Sequence, residues 1–306
     1  MFNLMRVKLV KGIIASLGLF LFTLSLKSDV EFPLIQAFTV FPFSEKETVE
    51  KNQFSLSLHT RYSNVYSLDF EKVGVNDFEM ASIGLDFQYG LIDGLTLELY
   101  YRYFFIYGGF LDGAIEVFHE FFNLPSARRD HYTLDSVHYF YKDYFQYTDA
   151  TGTSSPLIFS ILKQLEESNN ITLYGRLFIG IPLLAKPGFV SDQVSWGLGL
   201  MGKGVWKDFC VFSSIHTSFI KAPEWMDAES LKPLLLFFKI QLTYKRFLTG
   251  FILKTSPFKF GYFSSNAHQL YVGYKISDKI EIGIVEDLPP LDTTPDMGFY
   301  FKYNIL

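Results

Sequence analysis

Cysteine is nearly missing. Cys210 is the only one in 306 residues, which excludes an internal disulfide, a disulfide-stapled scaffold and a cysteine-rich zinc module. Charge is sparse too, at 19% against 49% hydrophobic residues, a balance that excludes disorder and argues against a nucleic-acid binder. Long apolar runs are confined to the start of the chain. Beyond Leu26 the longest stretch without Asp, Glu, Lys or Arg is Phe260–Tyr274, and Ser264, Ser265, Asn266, His268 and Gln269 interrupt it, so no further transmembrane helix is available. A glycine-rich phosphate loop and an HExxH motif are also missing.

What the chain does have is aromatic surface: 34 Phe, 19 Tyr and 3 Trp, or 18%. It also carries an address at the front. Arg6, Lys8 and Lys11 precede the uncharged 15-residue run Gly12–Leu26, and Lys27, Ser28 and Asp29 follow. This is the layout of a secretory signal, with an apolar run too short for a spanning helix. Residues 1–28 are therefore expected to be a signal peptide, and 29–52 an N-terminal extension. Without the first 28 residues the chain holds 23 Lys+Arg against 32 Asp+Glu, about −9, the wrong sign for attraction to anionic lipid or nucleic acid through net charge.

The remaining hydrophobicity alternates. Ile83, Leu85, Phe87 and Tyr89 oppose Ser82, Gly84, Asp86 and Gln88; Leu95, Leu97, Leu99, Tyr101 and Tyr103 oppose Thr96, Glu98, Tyr100 and Arg102. A period of two is the mark of strands with unlike faces. Further segments of this kind are expected at 54–62, 65–71, 137–147, 157–166, 171–183, 194–203, 209–220, 234–245, 247–255, 268–276, 280–285 and 297–306. Many are about ten residues long, the length a tilted strand needs to cross a bilayer. Short turns alternate with long links at 107–131, 184–192, 221–232, 256–265 and 286–296, as in an outer-membrane barrel. A soluble sandwich or lipocalin-like barrel would put charge on its outer stripe. Here the polar stripe is Gly, Ser, Thr, Gln and isolated charges, while Tyr, Trp and Phe gather near strand ends, where membrane-interface girdles belong. The expected fold is all-β, a transmembrane antiparallel barrel of about 12 strands occupying 53–306.

One segment breaks the pattern. In 107–131, Leu111, Ile115, Phe118 and Phe122 recur at helical spacing, Asp112 can cap the start and Pro125 ends the run, predicting a short amphipathic helix inserted in a long connection. Its polar face carries Asp112, Glu116, His119 and Glu120, with Arg128 and Arg129 beyond. Glu116 and His119 are spaced like helical metal ligands, but two ligands are too few. Folded into the mouth, the helix would form a constriction or plug with Asp112, Glu116, His119, Arg128 and Arg129, and Arg102 and Arg176 would face it from the polar stripes of their strands. The block from Gly108-Gly109 through Asp112, Glu116 and His119 to Leu124-Pro125 and Arg128 resembles the signature of an uncharacterised family of bacterial outer-membrane proteins, a domain of unknown function. Tyr89-Gly90-Leu91 through Leu97, and Glu286-Asp287 with Pro295-Asp296, extend the resemblance, while Asn123 stands where Gly is expected. The resemblance implies a barrel and a location, and no established activity.

The leading expectation is a passive channel for small polar or amphipathic solutes, or a structural envelope component, in the outer membrane of a double-membraned bacterium. The alternative is a lipid-modifying enzyme of the acyl-hydrolase type. His216 shares a stripe with Ser214 and Ser218, but no nucleophile, base and orienter fall into a recognisable motif, and no spacing selects Asp143, Asp227 or Glu229, so the chain is read as not an enzyme, without cofactor or metal. Expected partners are membrane lipid and the barrel-assembly machinery. The final strand, with Phe299, Phe301, Tyr303 and Ile305 on one face, resembles the recognition signal of that machinery, although it ends on Leu306 rather than Phe.

Overall fold

A computed structural model describes residues 47–68, 74–110, 135–259, 267–287 and 297–305, with Gly113 and Val117 between them. The expected signal peptide at 1–28, most of the expected N-terminal extension and most of the 107–131 segment expected to hold a helix lie outside these residues. Fifteen strands are described. They are β1 (Phe54–Leu68), β2 (Gly74–Ile92), β3 (Leu95–Tyr107), β4 (His138–Tyr141), β5 (Phe145–Tyr147), β6 (Thr151–Ser154), β7 (Leu157–Glu167) and β8 (Ile171–Ile181); then β9 (Ser195–Trp206), β10 (Phe209–Phe219), β11 (Leu234–Tyr244), β12 (Phe247–Lys254), β13 (Ala267–Lys275), β14 (Ile280–Asp287) and β15 (Met297–Asn304).

Twelve of them form a closed antiparallel ring: β1, β2 and β3, then β7 to β15 in order, with β15 returning to β1 through Ser57↔Asn304 to Ser63↔Gly298. Closure leaves no wall strand with an unpaired edge, which a sheet in an apolar solvent requires. Short turns join β2 to β3, β7 to β8, β9 to β10, β11 to β12 and β13 to β14 at one rim, and the long connections stand at the other. The β2–β3 turn is Asp93-Gly94, with Gly94 at φ +71, a left-handed conformation that glycine adopts without steric cost. Lys207 and Lys245 take the same region in the β9–β10 and β11–β12 turns.

Three expected strand boundaries change. The 54–62 and 65–71 segments belong to one strand, β1, because the ladder runs straight through Ser63↔Met80 and Asn64↔Glu79. The strand that begins at Ile83 in the alternation already starts at Gly74, where Val75 pairs with Leu68. The expected 137–147 wall strand is a small hairpin, β4 and β5, with Lys142 at φ 47 in its turn. β4 pairs with the start of β2 and β6 with the end of β3, so all three accessory strands sit at the long-loop end. The helix expected within 107–131 is described only at Gly113 and Val117, and the one other helical element among the described residues is a 3-10 turn at Ala228–Ser230.

The polarity of the wall is that of a soluble protein turned inside out. On β8, Leu173, Leu177 and Ile179 are exposed while Tyr174, Arg176 and Phe178 are buried; on β10, Ile215 is exposed and Ser214, His216 and Ser218 are buried. The exposed stripes continue around the ring through Leu198, Leu200, Leu236, Ile240, Val272 and Ile284. Aromatic pairs bracket this belt. At the long-loop end Trp196 stacks on Phe219, ring centroids 4.3 Å apart; at the short-turn end Phe209 meets Tyr244 at 4.6 Å and Phe247 meets Tyr274 at 5.0 Å. From Phe209 to Phe219 along β10 is about 33 Å at ~3.3 Å per residue. With a usual barrel tilt of about 40° that leaves an apolar band about 25 Å high.

Candidate functional site

Among the described residues the buried polar side chains collect on the inward stripes of the wall, and the interior has three levels. At the short-turn mouth the chain before β1 runs against the inner wall. Lys51 bridges to Gly90, the Val49 amide donates to Thr96 Oγ1 at 2.8 Å, Tyr174 Oη donates to Glu47 Oε2 at 3.5 Å, and Lys203 forms an ion pair with Glu47. Gly90 lies inside β2. Its reason is proximity, since a side chain there would run into the backbone of Val49 and Glu50.

The middle level is a hydrogen-bonded polar layer. Arg176 of β8 faces Glu98 of β3, Nε to Oε2 and Nη2 to Oε1 both at 2.9 Å, with both side chains almost wholly buried. Gln88 Nε2 donates to the same Oε1 at 2.8 Å. Across the lumen Tyr271 Oη donates to Gln241 Oε1 at 2.6 Å and Tyr300 Oη to Glu281 Oε1 at 3.2 Å. Small residues make room for these rings. A side chain at Gly283 or Gly273 would collide with Tyr300, and one at Gly199 with the His216 imidazole, so wall glycines trade strand propensity for interior groups laid flat against the backbone. Beside the tyrosines lies a cavity of about 150 Å³, bordered by Arg61, Arg102, Lys239, Lys254, Lys302 and Glu281 among others. Lys239 Nζ stands 4.7 Å from the Tyr271 ring centroid.

The long-loop level is apolar and aromatic. Tyr139 and Tyr141 of β4, Phe145 of β5, and Phe189 and Val190 of the 182–194 connection are buried against inward residues Phe78, Phe104 and Phe178 of the wall. Tyr139 lies 5.2 Å from Phe78 and 5.1 Å from Phe189, and Phe189 lies 5.8 Å from Phe104. Tyr139 Oη also donates to the Gly188 carbonyl and Tyr147 Oη to that of Pro187, at 3.0 Å in the second case. Lys186 tops this cap, over the rings of Tyr147 and Phe189 at 5.3 and 5.2 Å, and burial lowers its pKa from the ordinary lysine value.

The expected site residues divide sharply. Arg102 and Arg176 point inward, but Arg176 is committed to Glu98 while Arg102 borders the cavity. Asp112, Glu116, His119, Arg128 and Arg129 lie outside the described residues. An interior segment at the long-loop mouth exists, but the described part is the β4–β5 hairpin and the 182–194 connection. Arg61, Lys239, Lys254 and Lys302 were missed. Their signal is a lone cation on the stripe opposite aliphatic residues, as in Phe237-Phe238-Lys239-Ile240. His216 is 2% exposed on the inward stripe of β10, between Phe178 and Phe237 at 6.1 and 5.7 Å. Asp227 accepts from Tyr144 Oη at 3.0 Å and starts the 3-10 turn. Among the described residues no three of His, Cys, Asp and Glu stand together as a metal site.

Among solved structures, the COG4313 outer-membrane channel from Pseudomonas putida F1 superposes with a TM-score of 0.51 at 10% identity, covering 87% of this chain and all of that one. A KdgM porin gives 0.42, also at 10% identity, covering 81% and 98%. At such identity the first likeness speaks for the barrel fold, and the second adds no weight. No curated protein matches the chain. The block around the Gly108–Arg128 segment was expected to mark an uncharacterised family, and over residues 17–305 the chain belongs to the family described as "Protein of unknown function (DUF3187)".

Proposed function

We propose that this protein is an outer-membrane β-barrel that works as a passive channel for small polar solutes. The observation that carries the reading is the inversion of polarity around a closed wall: apolar residues outside between two aromatic girdles, and hydrogen-bonding residues inside. A water-soluble protein cannot leave an apolar belt of this extent facing solvent, whereas hydrocarbon welcomes it. The polar layer below the aromatic cap in turn gives solutes a hydrogen-bonding surface. The barrel-type channel with which it shares its fold agrees with this reading. Export through the signal at 1–28, insertion by the assembly machinery through β15, and lipid as the surrounding partner belong to the same proposal.

His216, the base the sequence offers beside Ser214 and Ser218, lies between the rings of Phe178 and Phe237, which lends the acyl-hydrolase alternative no support. The test is conductance. Protein purified in detergent and added to planar bilayers should give discrete current steps. Silence there, together with lipid hydrolysis abolished by His216→Ala, would replace the channel with the enzyme.

A further inference from the structure

The rim at the short-turn end is electrically divided. The β2–β3 turn and the β11–β12 turn lie on opposite sides of the ring, with six wall strands between them either way. Beside the first, Asp93, Glu166 and Glu167 outnumber Lys163 around a groove lined otherwise by Gly94, Gln164 and Leu165. On the other side the turns at 207–208, 245–246 and 276–279 carry Lys207, Lys245, Arg246 and Lys279 against Asp208 and Asp278. All four cations are exposed, and among the described residues none of them forms an ion pair.

The aromatic girdle follows the cations. Trp206 precedes Lys207, Tyr244 precedes Lys245 and Phe247 follows Arg246, and all three aromatic side chains are exposed. Lys245 Nζ stands 5.4 Å from the Tyr244 ring centroid, and the Lys245 amide donates to the Asp208 carbonyl at 3.1 Å, which ties neighbouring turns side by side. Two of the lysines occupy strained positions. Lys207 and Lys245 stand at φ 54 and φ 53 as the first residues of two-residue turns, where glycine is free of steric cost. The backbone gains nothing from a lysine there; what the residue adds is a charge beside the girdle. The chain as a whole is acidic, yet at physiological salt a charge is felt over about 8 Å, so each arc of the rim acts on what lies next to it.

We propose that this basic, aromatic arc binds the phosphate headgroups of anionic phospholipids in the leaflet around the short-turn end, gathering such lipids on one side of the barrel. An aromatic ring at the membrane boundary sets the adjoining Lys or Arg at headgroup depth, and each basic residue near an anionic surface strengthens association about fivefold. A zwitterionic headgroup brings a cation of its own, so the arc prefers the anionic one. The outward position of the rings favours lipid over a soluble acidic protein. The site rests on the reading of the outer belt as lipid-facing.

With Trp196 and Trp225 both replaced by Phe, Trp206 is the one tryptophan left and reports lipid contact beside Lys207. In vesicles of mixed composition, brominated phosphatidylglycerol should quench it at a severalfold lower mole fraction than brominated phosphatidylcholine, and the preference should shrink as salt rises. Lys207→Gly with Lys245→Gly removes two charges where the backbone suits glycine, so the fold is kept; most of the preference should go. Lys207→Arg with Lys245→Arg should retain it. Equal quenching by the two lipids, or an undiminished preference in the glycine variant, would overturn the proposal, leave lipid contact of the belt standing and give the arc over to a soluble acidic partner. Quenching by neither lipid would overturn the membrane reading itself, and the lipid site with it.

Discussion

At the scale of single residues the buried Arg176–Glu98 pair is the most consequential contact. Its bidentate geometry and the added Gln88 donor compensate two charges withdrawn from water, and compensation is what makes a buried pair tolerable. Removing one partner leaves the other uncompensated. Arg176→Met should therefore destabilise the barrel by about 3–5 kcal/mol, while Arg176→Met combined with Glu98→Gln should recover most of that loss. Urea titrations of the folded, heat-modifiable form in detergent measure both, and equal losses in single and double variants would refute the assignment. The inward position of Arg176 was legible in the sequence, since it alternates with Leu177 and Ile179. Its partner was not, because Glu98 is 78 positions away and register fixes the meeting only once β3, β7 and β8 are aligned.

At the scale of elements, alternation revealed the wall because each wall strand separates two solvents. It misled where that separation ends. Ser63-Asn64 looks like a turn, yet Ser63 faces the interior within an unbroken ladder. The 137–147 segment looks like a wall strand because aromatics dominate one of its stripes, but their rings serve a packed cap rather than lipid: Tyr139, Tyr141 and Phe145 are all buried in one cluster. Period-two patterning has no means to tell a lipid-facing ring from one buried under a loop. The cap bears on the proposed channel. Phe189 is 1% exposed and joins Tyr139 to Phe104, so it holds the 182–194 connection against the inner wall. Phe189→Ala should loosen that contact at a cost of about 3–5 kcal/mol and raise the rate of proteoliposome swelling with sugars that wild-type protein passes slowly. An unchanged or lower rate in a folded variant would show that the cap does not restrict passage.

At the scale of the whole molecule, closure turns scattered sequence features into one device. Cations distributed over β1, β3, β11, β12 and β15 converge only when β15 pairs with β1, which is why the cavity was beyond reach of a linear reading while the fold was within it. The same closure places Trp196 at one end of the outer belt and Trp206 at the other, both about half exposed, while Trp225 packs against the cap cluster. Everything proposed here rests on lipid being the solvent of that belt. The most direct test is tryptophan quenching in vesicles containing phospholipids brominated at different depths along the acyl chain. Strong quenching by shallow bromines and weaker quenching near the bilayer centre are expected, carried by Trp196 and Trp206 and preserved in Trp225→Phe. Vesicle-bound protein unquenched at every depth, or a signal-less chain that stays monomeric in water without detergent, would contradict it.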